Sequence, residues 1–146
     1  KAIGVGHVRR VVCASPAYLK RQGTPKTPAD LARHSVILSS TVTPVPEWKF
    51  AHDAKTTMVR VAPRLTVTSN EAAIEAACSG FGVTRLLSYQ VAPYIAAGQL
   101  KAVLTGYEAP RLPVHVVHRE GRYASAKVRT FVDLMIARLR SAPALK

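Results

Sequence analysis

Short apolar runs that give way at once to a helix-start signal restrict the fold of this chain more than any other feature. Val11-Val12-Cys13-Ala14 has the length and composition of a strand, and Ser15-Pro16 follows it directly. Ser15 can accept from free amides of a first helical turn, and Pro16 suits the first helical position, where its missing N–H loses no hydrogen bond. Gly23 then closes a short helix. Thr27-Pro28-Ala29-Asp30 repeats the device, with Thr27 as cap and Asp30 as the acid of a capping box, so two short helices run in series to about His34.

The same alternation continues downstream. Val36 to Leu38 predicts a strand, followed by a polar, proline-broken loop from Ser39 to Pro46. Trp48 and Phe50 flank Lys49 with the period of a half-buried strand. From Met58 onward, Val59, Val61, Leu65 and Val67 point one way and Arg60, Arg64, Thr66 and Thr68 the other, which predicts a strand whose Pro63 marks an edge or a bulge. Ser69-Asn70-Glu71 supplies cap residues and a first-turn acid for an alanine-rich helix over about Glu71 to Ser79, stopped by Gly80. A strand over Phe81 to Leu87, a helix from Ser88 to Ala97 that contains Pro93, a strand over Leu100 to Leu104 and a strand through Val114, Val116 and Val117 follow. Ser125 caps a last helix, whose Val128, Phe131, Val132, Met135 and Leu139 recur at spacings of three and four and so share a face. Ser141 to Lys146 reads as a loose tail. Strands alternating with helices define an α/β architecture, and 146 residues without repeat or linker suit one domain of ordinary size.

Composition removes several kinds of function. Twenty-one Lys and Arg face eight Asp and Glu, a net charge of +13, which invites a nucleic-acid reading. The cations are scattered, however, with no basic helix behind a turn, no aromatic stacking platform and no zinc-finger spacing, so a solvated basic surface on a protein that works near DNA is the expectation. The five histidines show no ligand spacing with cysteines or carboxylates, so no metal and no cofactor is expected. His115 and His118, three apart in a strand, face opposite sides. Cys13 and Cys78 sit among apolar and small residues and read as buried free thiols. No carboxylate pair, nucleophile elbow or P-loop is present, and no catalytic residue is assigned. Gly80-Phe81-Gly82 follows a helix and opens a strand, the reverse of a dinucleotide cradle, so those glycines read as helix stop and close packing. No apolar run approaches the roughly 20 residues of a membrane helix and no leader pattern opens the chain, so a cytoplasmic location without membrane contact is expected.

Several segments then stand in a familiar order. Val11-Val12-Cys13-Ala14-Ser15-Pro16-Ala17-Tyr18-Leu19 is followed by Gly23-Thr24-Pro25-Lys26-Thr27-Pro28-Ala29-Asp30-Leu31-Ala32-Arg33-His34, then Trp48-Lys49-Phe50, Val67-Thr68-Ser69-Asn70-Glu71-Ala72-Ala73, Gly80-Phe81-Gly82-Val83, Gly98-Gln99-Leu100 and Lys127-Val128-Arg129-Thr130-Phe131-Val132. In this order and spacing, over nearly the whole chain, they resemble the effector-binding domain of LysR-type transcriptional regulators. The resemblance implies a periplasmic-binding-protein-like sensor of the type 2 kind, with two α/β lobes and a cleft between them. Residues 1–112 would form the second lobe, the match itself running from 8 to about 110, and residues 113–146 would carry the strand and helix that return to the first. The family's winged helix-turn-helix and the earlier half of the first lobe would lie outside this chain, so DNA would be engaged only through that separate domain.

The function implied is allosteric: a small effector, an organic anion by the chemistry of the loop, binds between lobes and alters how attached DNA-binding domains engage an operator. A stand-alone solute-binding module and a basic nucleic-acid-binding domain are the competing functions. Ser39, Ser40 and Thr41 match the cleft-lining region, where hydroxyls and free amides suit a carboxylate; an ordinary polar loop is the alternative. Ser69 and Asn70 could offer helix N-terminal amides to an anion or cap their own helix. Thr84 and Arg85 could meet a ligand acid or, for Arg85, simply face solvent. Trp48 reads as a packed aromatic. The Glu71–Ser79 helix matches one used in dimer contacts, with burial within its own lobe as the alternative, and with no first lobe to cover, Phe131, Val132 and Met135 become an apolar stripe, so a homo-oligomer is expected.

Overall fold

The computed structural model describes residues 1–41, 45–119 and 125–146. The chain divides into two compact units, Arg9–Pro110 and a smaller one made of Lys1–Val8 with Arg111–Lys146.

The larger unit is built on a five-stranded sheet of order β6-β3-β7-β2-β8, from β2 (Arg10–Ala14), β3 (Val36–Ser39), β6 (Pro63–Val67), β7 (Val83–Leu87) and β8 (Lys101–Val103). β3 runs parallel to both β6 and β7, whereas β2 is antiparallel to β7 and β8. The run Val11-Val12-Cys13-Ala14 is apolar throughout because both faces of the sheet are covered. Val11 and Cys13 join Ile37, Leu86, Ala73, Ile74, Ala77 and Val91 beneath α2 (Asn70–Cys78) and α3 (Ser88–Ala96). Val12 and Ala14 join Val36, Leu38, Val83, Tyr18, Leu31, Trp48 and Phe50 on the other face. That face is covered by α1 (Pro16–Gln22), a 3-10 helix (Pro28–Arg33) and the hairpin of β4 (Glu47–His52) with β5 (Lys55–Arg60).

The helix-start signals operate as the residues dictate. The Ser15 hydroxyl accepts from the Tyr18 amide at 3.1 Å, and Ser69 does the same for Ala72. Asp30 Oδ2 accepts from the Lys26 and Thr27 amides at 2.9 and 3.0 Å, the acid half of the expected capping box, on a helix of 3-10 rather than α form. Those two amides and the adjacent Arg33 hold the Asp30 carboxyl below its ordinary range. Gly80 takes a φ of +86 after α2, a conformation that favours glycine, and Gly82 packs where any Cβ would collide with the Ser35 carbonyl.

Two expectations about strands and thiols are corrected. The strand foreseen from Met58 to Thr68 is two strands in different sheets. The break at Ala62-Pro63 carries the chain from the hairpin to the edge of the main sheet, so Val59 and Val61 pack on one layer and Leu65 and Val67 on the other. Pro63 opens the edge strand β6, a position that proline tolerates. Cys78 is half-buried rather than buried, because it lies at the last turn of α2; Cys13 is fully buried, and burial, with Cys78 adding to it, pushes its thiol up to about 12.

In the smaller unit β1 (Ala2–Val8) pairs antiparallel with β9 (Leu112–Val117). The first eight residues thus group with this strand and not with the remainder of 1–112, because their ladder partner is β9. α4 (Ala126–Ser141) lays Val132, Met135, Ile136 and Leu139 half-buried, at helical spacing, while Val128, Phe131 and Leu134 are exposed, Phe131 to 62%. The end of the chain is tied down: Pro143 opens a last helical turn and Leu145 lies against Gly6, which has no side chain in its way. Residues 42–44 of the expected Ser39–Pro46 loop lie outside the described residues.

Gly82→Ala drives a methyl group into backbone and is expected to lower stability by about 2 kcal/mol or more. A urea midpoint equal to that of the unchanged chain would contradict the close approach.

Candidate functional site

Parallel pairing places the carboxyl ends of β3 and β6 side by side, and ligands of open α/β sheets bind at such ends. Here Ser39 ends β3, Val67 ends β6, and two residues later Ser69 starts α2. The Ser40 amide and hydroxyl both donate to the Val67 carbonyl, at 3.0 and 3.2 Å, and lock the two strand ends together. Ser39 and Thr41 then turn toward Asn70. Ser39 Oγ lies 2.6 Å and Thr41 Oγ1 2.7 Å from Asn70 Oδ1, and the two hydroxyls are 2.8 Å apart.

Hydrogen counting defines what this triangle can do. Three contacts among three oxygens share two hydroxyl protons, so one contact lacks a hydrogen. Both hydroxyls donate to Asn70 Oδ1, which leaves the two Nδ2 protons of Asn70 outside the triangle. The cluster then offers an outward donor beside the first turn of α2, a partly positive helix end. Asn70 is half-buried and Thr41 exposed, so the triangle reaches solvent while Ser39, 3% exposed, anchors it from below.

The seven expected residues do not form one site. Ser39, Thr41 and Asn70 converge. Ser40 and Ser69 stand beside them, but their hydroxyls serve the Val67 carbonyl and the Ala72 amide. Thr84 has no exposed surface; its hydroxyl donates to the Ile37 carbonyl at 3.1 Å, inside the sheet. Arg85 is the next residue of the same strand and therefore lies on the opposite face. It does not face solvent: it is 6% exposed, 5.1 Å from the Trp48 ring and 5.5 Å from that of Phe50, and it donates to the Lys49 carbonyl at 2.8 Å. Burial, with Arg10 adding to it, pulls its pKa down to about 10, so the cation persists at neutral pH. No carboxylate pairs with it among the described residues, and its Nε has no partner. Trp48 is 1% exposed, a packed aromatic and the platform for that cation. The Val67 carbonyl, which orders the site, is a member that no side-chain pattern could have revealed.

Among the described residues no three His, Cys, Asp or Glu gather as a metal site, and no helix is long and apolar enough to cross a membrane.

Residues 2–140 match the LysR substrate binding domain, and the chain belongs to that family. It is 28% identical over 130 residues to the transcriptional activator TtdR of Escherichia coli K12, covering 88% of this chain and 42% of that protein. The regulatory domain of CrgA, a LysR-type transcriptional regulator from Neisseria meningitidis, superposes with a TM-score of 0.80 at 26% identity, over 95% of this chain and 68% of that one. Full-length AphB, the Vibrio cholerae virulence activator, shares the fold with a TM-score of 0.84 at 21% identity, over 94% of this chain and 47% of that one. The α/β fold is thus the type 2 periplasmic-binding-protein-like fold of LysR regulatory domains, and its curated relatives are transcriptional regulators rather than enzymes. The chain spans less than half the length of TtdR.

Thr84 is structural in this geometry. Thr84→Val is expected to lower stability by about 1 kcal/mol, read as a urea midpoint; an unchanged midpoint would contradict the buried bond to Ile37.

Proposed function

We propose that this chain is the effector-sensing part of a LysR-type regulator, in which a small organic anion bound at the carboxyl ends of β3 and β6 alters how a separate winged helix-turn-helix domain engages DNA. The observation that carries this reading is the meeting of Ser39, Thr41 and Asn70 in a solvent-reaching donor cluster beside the start of α2. A carboxylate gains there from the Asn70 Nδ2 protons and the helix end, whereas a neutral apolar ligand gains nothing. Control follows if the effector prefers one arrangement of two, since a ligand shifts such an equilibrium only by its difference in affinity. The larger unit corresponds to the second lobe, and the β1–β9 unit with α4 to part of the first. Work at an operator implies a cytoplasmic location.

The test is a thermal-shift panel of mono- and dicarboxylates. A carboxylate present at about a hundredfold excess over its dissociation constant adds about 2.7 kcal/mol of stability. Asn70→Ala and Ser39→Ala each are expected to remove that gain; a panel with no stabilising member, or an unchanged shift in Asn70→Ala, refutes the site.

Self-association belongs to the same proposal and is supported by the exposed Val128, Phe131 and Leu134 of α4. Sedimentation at high protein concentration is expected to report a species heavier than 15.8 kDa, and a lone monomer boundary contradicts it.

A further inference from the structure

At the other end of β3 from the hydroxyl cluster, a groove of about 300 Å³ is lined by Arg21, Arg33, Arg64, His34 and Ser35, with the rings of Tyr18 and Phe81. Five segments supply it: α1 gives Tyr18 and Arg21, the end of the 3-10 helix gives Arg33 and His34, the entry to β3 gives Ser35, β6 gives Arg64, and the turn between α2 and β7 gives Phe81. Two of the guanidinium groups are held by rings rather than acids. Arg21 lies 5.7 Å from the Tyr18 centroid and donates to the Gly80 carbonyl at 2.9 Å; Arg64 lies 6.0 Å from the Phe81 centroid. Neither has a carboxylate partner among the described residues. Arg33 shares Asp30, whose oxygens already accept from Arg33 and two amides.

The neutral groups are donors too. The Ser35 amide donates to Tyr18 Oη at 3.1 Å, and Tyr18 Oη lies 2.9 Å from His34 Nδ1, with the donor of that bond set by the ring tautomer. In either tautomer the neutral ring carries one N–H. Burial lowers the His34 pKa and favours this neutral form. Ser35 Oγ is buried without a hydrogen-bond partner, and its residue lines the groove.

We propose that this groove is a second ligand site, for the phosphate group of a small phosphomonoester. Three guanidinium groups converge on one recess rich in donors, the composition that phosphate oxygens select. A compact recess whose lining includes an unpartnered hydroxyl suits a single small dianion more than the spaced phosphates of a duplex, and the Phe81 ring, 42% exposed, adds an apolar wall for the ester group. The site stands at the opposite end of β3 from Asn70 and does not depend on the carboxylate reading.

The experiment is titration calorimetry of the whole chain with inorganic phosphate and with phenyl phosphate, at ionic strength matched with chloride. Saturable one-site binding of both is expected, tighter for phenyl phosphate. Arg64→Gln, whose side chain touches only a ring, and Arg21→Gln should each weaken it about tenfold or more. Ser35→Ala should weaken it about threefold while leaving the urea midpoint equal or higher, because the hydroxyl it removes has no partner in the free protein. Lys101→Gln, on the exposed side of β8, should change nothing, and Asn70→Ala should leave phosphate binding intact. No saturable heat, equal affinity in both arginine variants, or binding of a DNA duplex alone overturns the proposal.

Discussion

The parallel seating of β3 between β6 and β7 is the constraint on which the rest of the larger unit depends. It brings the carboxyl ends of β3 and β6 to one edge, and with them Ser39, Ser40, Thr41 and the start of α2. It brings the opposite ends together as well, so that Gly82 can press on Ser35 and Arg64 can enter beside His34. An antiparallel β3 would exchange these ends and disperse both clusters. Burial on both faces keeps β3 in place, since Val36 and Leu38 belong to one core and Ile37 to the other.

A shortage of acids shapes the surroundings of that sheet. With 21 basic and eight acidic side chains, most cations cannot find a carboxylate. The chain answers with rings and carbonyls: Arg85 over Trp48 and Phe50, Arg21 over Tyr18, Arg64 over Phe81. A guanidinium stacks on an aromatic face without losing its donors, so it stays available to an anion in a way that an ion-paired group does not. Arg33 pairs with Asp30, and Arg9 makes two bonds to Glu108, at 2.8 and 2.9 Å, that tie the two ends of the larger unit's segment together.

Much of this was legible in the chain itself. Ser15-Pro16, Thr27-Pro28 and Ser69-Asn70 start helices because capping is decided within four residues, and Gly80 stops one because only local backbone is involved. Trp48 and Phe50 declare a half-buried strand by their spacing, and the ordered motifs were enough to indicate the family. Wherever one residue's neighbours settle its role, sequence sufficed.

What only the tertiary structure decided concerns partners distant along the chain. Asn70 reads as a second cap beside Ser69 until β3 and α2 meet and turn it to Ser39, 31 positions away. Thr84 and Arg85 read as one candidate pair, yet successive strand residues face opposite layers, so one donates into the sheet and the other stacks beneath the hairpin. The Met58–Thr68 run reads as a single strand because alternation carries no record of which sheet receives it. The amino-acid order determines the elements and their ends; sheet order, and hence which polar atoms face one another, comes from packing energies summed across the whole core.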